Sequence, residues 1–114
     1  MRRGEIWWAE LGDPSGSEAG FRRPVLIVSG NDINESRLKT VLTVPLTSNL
    51  SREHFDFSLR IPANAAGLRK PSVALLNLIT TTNRLVLTEQ AGRVPDDIMA
   101  KVDDRLKLVL GLGG

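Results

Sequence analysis

The chain contains no cysteine. That absence excludes disulfides, thiol nucleophiles and cysteine-based zinc sites. A single histidine, His54, lies in the polar stretch NLSREH, which leaves a multi-histidine metal site without ligands and a histidine-based triad without support within one subunit. No apolar run approaches the roughly 20 residues that span a bilayer. The two basic residues at the start, Arg2 and Arg3, are not followed by an apolar stretch of signal-peptide length. These absences point to a cytoplasmic protein that does not engage a membrane. Walker, dinucleotide-binding, HExxH and EF-hand patterns are all missing. Gly12-Asp13-Pro14-Ser15-Gly16 does not have the spacing of a serine-hydrolase elbow.

What is present is ordinary in bulk. The 114 residues are 41% hydrophobic and 25% charged, which suits one domain over residues 1–114 with one core. The net charge of +2 is a mild basic bias, compatible with a polyanionic partner and equally with a plain solvated surface. Arginine outnumbers lysine, and a planar fork suits phosphate or carboxylate recognition.

Hydrophobic patterning predicts a β-rich chain that ends in a helix. EIWWAEL (Glu5 to Leu11), PVLIVS (Pro24 to Ser29), TVLTVPLTS (Thr40 to Ser48), FDFSLRI (Phe55 to Ile61) and SVALLNLITT (Ser72 to Thr81) read as strands, and LTEQAGRV adds a short edge strand. PVLIVS is apolar on both faces, as in a strand covered on both sides. FDFSLRI alternates cleanly, with Phe55, Phe57, Leu59 and Ile61 on one face. GNDINESR holds at most a short helical turn, while GDPSGSEAGF and PANAAGLRKP read as loops. In PDDIMAKVDDRLKLVLG, Ile98, Val102, Leu106, Val109 and Leu110 recur at helical spacing, and Gly111 can end the helix. Short-looped strands followed by a helix predict a mainly β fold, a small, strongly curved antiparallel sheet or half-open barrel with the C-terminal helix packed on it.

The residues left over for chemistry are polar groups at strand ends. Glu18, Arg22 and Arg23 precede the second strand, Thr47 and Ser48 close the third, and Asn77 lies within the fifth. Strand ends hold a side chain firmly while leaving it in reach of solvent. Each has a plainer reading. Arg22 and Arg23 can be surface solvation, and the Thr47 and Ser48 hydroxyls can serve a turn. Asn77 amid LLNLI needs partners or a cavity if it is buried. The adjacent Trp7 and Trp8 point to opposite faces of a strand, one into the core and the other toward an interface or a stacked base.

RGEIWWAEL, then GSEAGFRRPVLIVS, then TVPLTS resembles the MazF/PemK family of toxin endoribonucleases. SVALLNLITTTNRL and the amphipathic C-terminal segment fall where that family has its fifth strand and last helix. The resemblance implies an SH3-like, CcdB-like barrel that forms a homodimer. It implies metal-independent and cofactor-independent, sequence-specific cleavage of single-stranded RNA, and neutralisation by a cognate antitoxin. Carried over by motif, the catalytic arginine directly before proline is Arg23, the catalytic threonine is Thr47, and the glutamate of the G-S-E pattern is Glu18. Ser17, Arg22, Pro24, Ser48, Asn49 and Asn77 are expected along the RNA. Some members carry histidine at the position of Ser17. Many carry an acidic residue where Asn77 stands, often followed by Gln, with Arg three positions after the acidic residue. This chain has Asn77, Leu78 and Thr80, which bears against any mechanism needing a carboxylate at position 77 and implies a changed RNA sequence preference.

The chemistry that the resemblance implies is consistent with these groups. RNA brings its own nucleophile, the 2′-hydroxyl, so the enzyme orients it, removes its proton, stabilises the phosphorane and protonates the leaving 5′-oxygen. The products are a 2′,3′-cyclic phosphate and a 5′-hydroxyl. Arg23 can give two parallel hydrogen bonds to the non-bridging oxygens, where charge grows, but it is a poor proton acceptor. Glu18 is the candidate base or orienting group. Alternatively it pairs with Arg22 or Arg23 and sets the loop. Two other functions are weighed against this one: a CcdB-like gyrase poison, which has no need of the Arg23 and Thr47 pair, and a non-catalytic barrel that binds nucleic acid.

Overall fold

The computed structural model describes residues 1–10 and 22–113, the side chain of residue 65 excepted. Among the described residues seven strands, all paired antiparallel, form one sheet: β1 (Glu5–Glu10), β2 (Arg22–Ile27), β3 (Thr40–Thr47), β4 (Ser58–Ile61), β5 (Ser72–Leu75), β6 (Thr80–Asn83) and β7 (Leu87–Arg93). The spatial order is β4-β5-β3-β2-β1-β7, with β6 alongside β3. The helices are α1 (Asn31–Asn34), α2 (Ala63–Ala66) and α3 (Asp96–Leu110). The β-rich reading and the C-terminal helix are both present in the structure.

Alternation in β2 explains why this strand lies at the centre. Leu26 and, just beyond the strand, Val28 point into the main core with Ile6, Val44, Leu46, Leu59, Ile61 and Leu76. Val25 and Ile27 point the other way, into a smaller cluster with Ala9, Val41 and Leu87. The run VLIV is therefore covered on both sides, as its composition predicts. Pro24 stands third in β2 rather than first. The ladder to β3 begins at Val25↔Pro45, so the missing N–H of Pro24 costs that ladder nothing. α3 covers the open side of the main core with Met99, Val102 and Leu106. It ends at Gly111, which takes the left-handed conformation at φ 70°.

Two predicted strands are shorter than their patterns. SVALLNLITT is two strands broken by a 3-10 turn over Leu76–Leu78. Leu46 pairs with Ala74 but Thr43 pairs with Thr80, so Val44 and Pro45 lie opposite residues 75–79, and the excess leaves the ladder as the turn. Pro45, which has no N–H to give a ladder, sits at this break. Leu76 plugs the core, fully buried, while Asn77 faces solvent. The placement of Asn77 within the fifth strand is thereby corrected: the amide sits on an exposed turn and needs no buried partner.

The second correction follows from the first. β4 begins at Ser58, not Phe55, because its partner β5 ends at Leu75 and Ser58↔Leu75 is the last pair available. Residues Leu50–His54 form a 3-10 turn instead. Phe55 and Phe57 meet each other, ring centroids 5.2 Å apart and nearly parallel.

The sheet curls far enough that its two ends meet through α2. At Gly92 in β7 a Cβ would lie 1.7 Å from the Ala66 carbonyl oxygen, so only glycine permits that approach. Gly67, left-handed at φ 77°, adjoins the same contact: a Cβ there would lie 3.2 Å from the Ala91 carbonyl oxygen and 3.4 Å from the Gly92 Cα. The result is the small barrel with a C-terminal helix that the patterning predicts.

Candidate functional site

Two of the sequence-selected residues stand just past the end of one ladder. The β2–β3 ladder ends at Val25↔Pro45. Arg23 lies two residues before it on β2 and Thr47 two residues after it on β3. On its other edge Thr47 pairs with Val73 of β5. Here the strands leave the sheet and a cleft opens, about 720 Å³ in volume. Its walls include Trp8, Arg22, Arg23, Pro24, Thr47 and Ser48. Five of the nine site residues expected along the RNA or at the reacting phosphate, Arg22, Arg23, Pro24, Thr47 and Ser48, thus line one cleft. Asn49 and Asn77 do not line it. Ser17 and Glu18 lie outside the described residues.

Each side chain has a definite setting. Thr47 Oγ1 accepts the backbone N–H of Asn49 at 3.1 Å, the turn chemistry its type predicts. A hydroxyl that accepts still has its own proton to give. Asn49 caps the following 3-10 turn, its Oδ1 accepting the Ser51 N–H at 3.2 Å and the Ser51 hydroxyl at 2.6 Å. It holds the end of β3 in place.

Arg22 differs from its neighbour. Its Nε lies 2.9 Å from a Glu10 carboxylate oxygen and its Nη2 3.0 Å from one of Glu89. Its guanidinium also lies 4.5 Å from the centre of the Trp8 ring, within cation–π range. Two carboxylates and one aromatic face hold Arg22 as a bracket between β1, β2 and β7. A phosphate contact by Arg22 must use the rest of its fork or displace a carboxylate. Trp8 is accordingly the tryptophan at the cleft. Trp7 packs against the smaller cluster and donates its indole N–H to Glu5 Oε1 at 2.9 Å.

The cleft also holds two cations that the sequence reading passed over, Arg69 and Lys70, on the loop between α2 and β5. A signal for them exists. Leu68-Arg69-Lys70-Pro71 repeats the form of Phe21-Arg22-Arg23-Pro24. Each basic pair precedes a proline and feeds a strand that flanks β3. Among the described residues lining the cleft there is no carboxylate and no imidazole. Also among the described residues, no group of three or more His, Asp or Glu side chains is placed to hold a metal ion, and no helix is long and apolar enough to cross a membrane. Chemically, the cleft can bind anions and donate hydrogen bonds to them.

Comparison with known proteins agrees with this geometry. Residues 2–110 match the family model described as PemK-like, MazF-like toxin of type II toxin-antitoxin system. The chain is 41% identical over 112 residues to the endoribonuclease MazF6 of Mycobacterium tuberculosis, covering 98% of both chains. It is 32% identical over 112 residues to the endoribonuclease EndoA of Bacillus subtilis, covering 98% of this chain and 96% of that one. Its fold is similar to that of a MazE–MazF crystal structure from Deinococcus radiodurans, with a TM-score of 0.82 at 26% identity over 99% of this chain and 97% of that one. A chain matched over nearly its full length by this family model, and this close to two of its relatives, belongs to the PemK-like, MazF-like toxins of type II toxin–antitoxin systems.

Proposed function

We propose that the protein is a toxin endoribonuclease that cleaves single-stranded RNA by internal attack of the 2′-hydroxyl. The observation that carries the reading is that Arg23 and Thr47, from adjacent strands, line one cationic cleft. That placement serves a phosphodiester. Arg23 gives two parallel N–H bonds to the non-bridging oxygens, and Thr47 donates its hydroxyl proton to the same phosphate. The attacking oxygen displaces the 5′-oxygen of the next nucleotide, so one P–O bond forms as one breaks. The proton leaves the 2′-hydroxyl for a base, and Glu18 is the carboxylate of the motif assigned that part. The departing 5′-oxygen takes up a proton from solvent, so the products are a 2′,3′-cyclic phosphate and a 5′-hydroxyl. The reaction needs neither metal nor cofactor. The names of the relatives, endoribonuclease in both, support the substrate class.

The same cleft accounts for a cognate antitoxin as partner. An acidic or amphipathic segment lying on these cations would exclude RNA. A homodimer completes the assembly that we propose.

The test is to incubate the purified protein with a mixed RNA and map the new 5′ ends. We expect cuts at a short defined sequence, undiminished by a chelator. In Arg23→Ala we expect the rate to fall by about 10² to 10³, the usual cost of removing one main donor to developing charge. RNA left intact by folded protein, or cleavage that Arg23→Ala leaves unchanged, would overturn the proposal.

A further inference from the structure

We infer that Arg69 and Lys70 form a second phosphate-holding pair, which grips the RNA backbone next to the scissile phosphate. The inference rests on the endoribonuclease reading and adds a subsite to it.

The charge distribution carries the argument. Among the described residues four cations line the cleft: Arg22, Arg23, Arg69 and Lys70. Arg22 is held by Glu10 and Glu89. Arg69 and Lys70 are exposed and make no hydrogen bond or ion pair among the described residues. An arginine and a lysine side by side repel each other weakly, and the described residues of the cleft wall offer no carboxylate in compensation. A polyanion supplies that compensation.

The position of the pair is built rather than incidental. On one side the chain is fixed by Gly67, left-handed and seated against Ala91 and Gly92. On the other side it enters β5, where Ser72 pairs with Ile61 and Val73 with Thr47. Lys70 therefore stands three residues from the partner of Thr47, on the opposite edge of β3 from Arg23. One basic pair flanks each edge of β3, with Thr47 between them. A strand gripped at Arg23 by its scissile phosphate crosses β3 and meets Arg69 and Lys70 with a neighbouring phosphate. Arg69 can take that phosphate with its fork and Lys70 as a point charge.

The test uses an RNA carrying a 2′-deoxy nucleotide at the mapped cleavage site, which binds without being cut. Its affinity is measured between 50 and 200 mM salt for the wild type and for the Arg69→Gln, Lys70→Gln double variant. Two contacts to a single strand contribute about 1.4 to the slope of log affinity against log salt, about 0.7 each. We expect the variant's slope to be shallower by that amount. Single neutral methylphosphonates, walked along the RNA, locate the contact. One position beside the scissile phosphate should weaken wild-type binding and leave the variant's binding unchanged. A merely structural role for the pair would not produce that selective loss, and Arg69→Lys with native Lys70 should keep the wild-type slope. Wild-type slope and wild-type methylphosphonate sensitivity in the double variant would overturn the subsite while leaving the nuclease intact. Failure of the wild type to cut or bind RNA would overturn the endoribonuclease reading together with the subsite.

Discussion

Thr47 Oγ1 accepts the Asn49 N–H and keeps its own hydroxyl proton to give. Here the plain reading of a residue and the functional one coexist, because a hydroxyl that accepts in a turn can still donate. Arg22 and Arg23 illustrate the opposite case. They are adjacent and chemically alike, yet Arg22 is bracketed by Glu10, Glu89 and Trp8. Those partners are 12, 67 and 14 residues away along the chain, so no local pattern marks them. Arg69 and Lys70 were legible in principle through the shared basic-pair-before-proline form, and only the fold shows that both copies reach one cleft. Glu18 yields the prediction at this scale. If it takes the 2′-hydroxyl proton, the cleavage rate falls as its carboxylate protonates at acid pH, since a protonated carboxyl cannot accept. Glu18→Gln should then be slow at every pH and lose the acid limb of the profile. A pH–rate series on both proteins checks this, and full rate in Glu18→Gln would reject the role.

At the scale of elements, periodicity reported the buried strands and the helix well. β1, β2, β3 and α3 start and stop within a few residues of their patterns, because each is bounded by glycine, proline or a change of period. It failed at β4 and β5, where the limit is set by a partner strand. Nothing within FDFSLRI says that β5 ends at Leu75, and nothing within LLNLI says that β3 has spare register opposite it. Closure of the barrel is equally non-local. It depends on Gly92 meeting the Ala66 carbonyl, two elements distant in sequence. Gly92→Ala should therefore destabilise the fold, by about 1 to 3 kcal/mol as overpacking generally does. A lowered midpoint in thermal or urea unfolding checks this, and an unchanged midpoint would show that α2 and β7 are not locked there.

The molecule as a whole leaves part of the chemistry to its substrate. Its barrel offers a cationic cleft lined by hydrogen-bond donors and, among the described residues that line it, no carboxylate and no imidazole. A site of this kind works only on a substrate that carries both the charge to bind and the nucleophile to react. That is the central claim, and one measurement tests it most directly. RNA is prepared with a single 2′-deoxy nucleotide, placed in turn at the mapped cleavage position and at its neighbours. The account predicts that cutting vanishes for the deoxy nucleotide whose 2′-oxygen should attack and persists at the wild-type site when a neighbour is substituted. Cleavage at the normal rate with that one 2′-oxygen removed would contradict it.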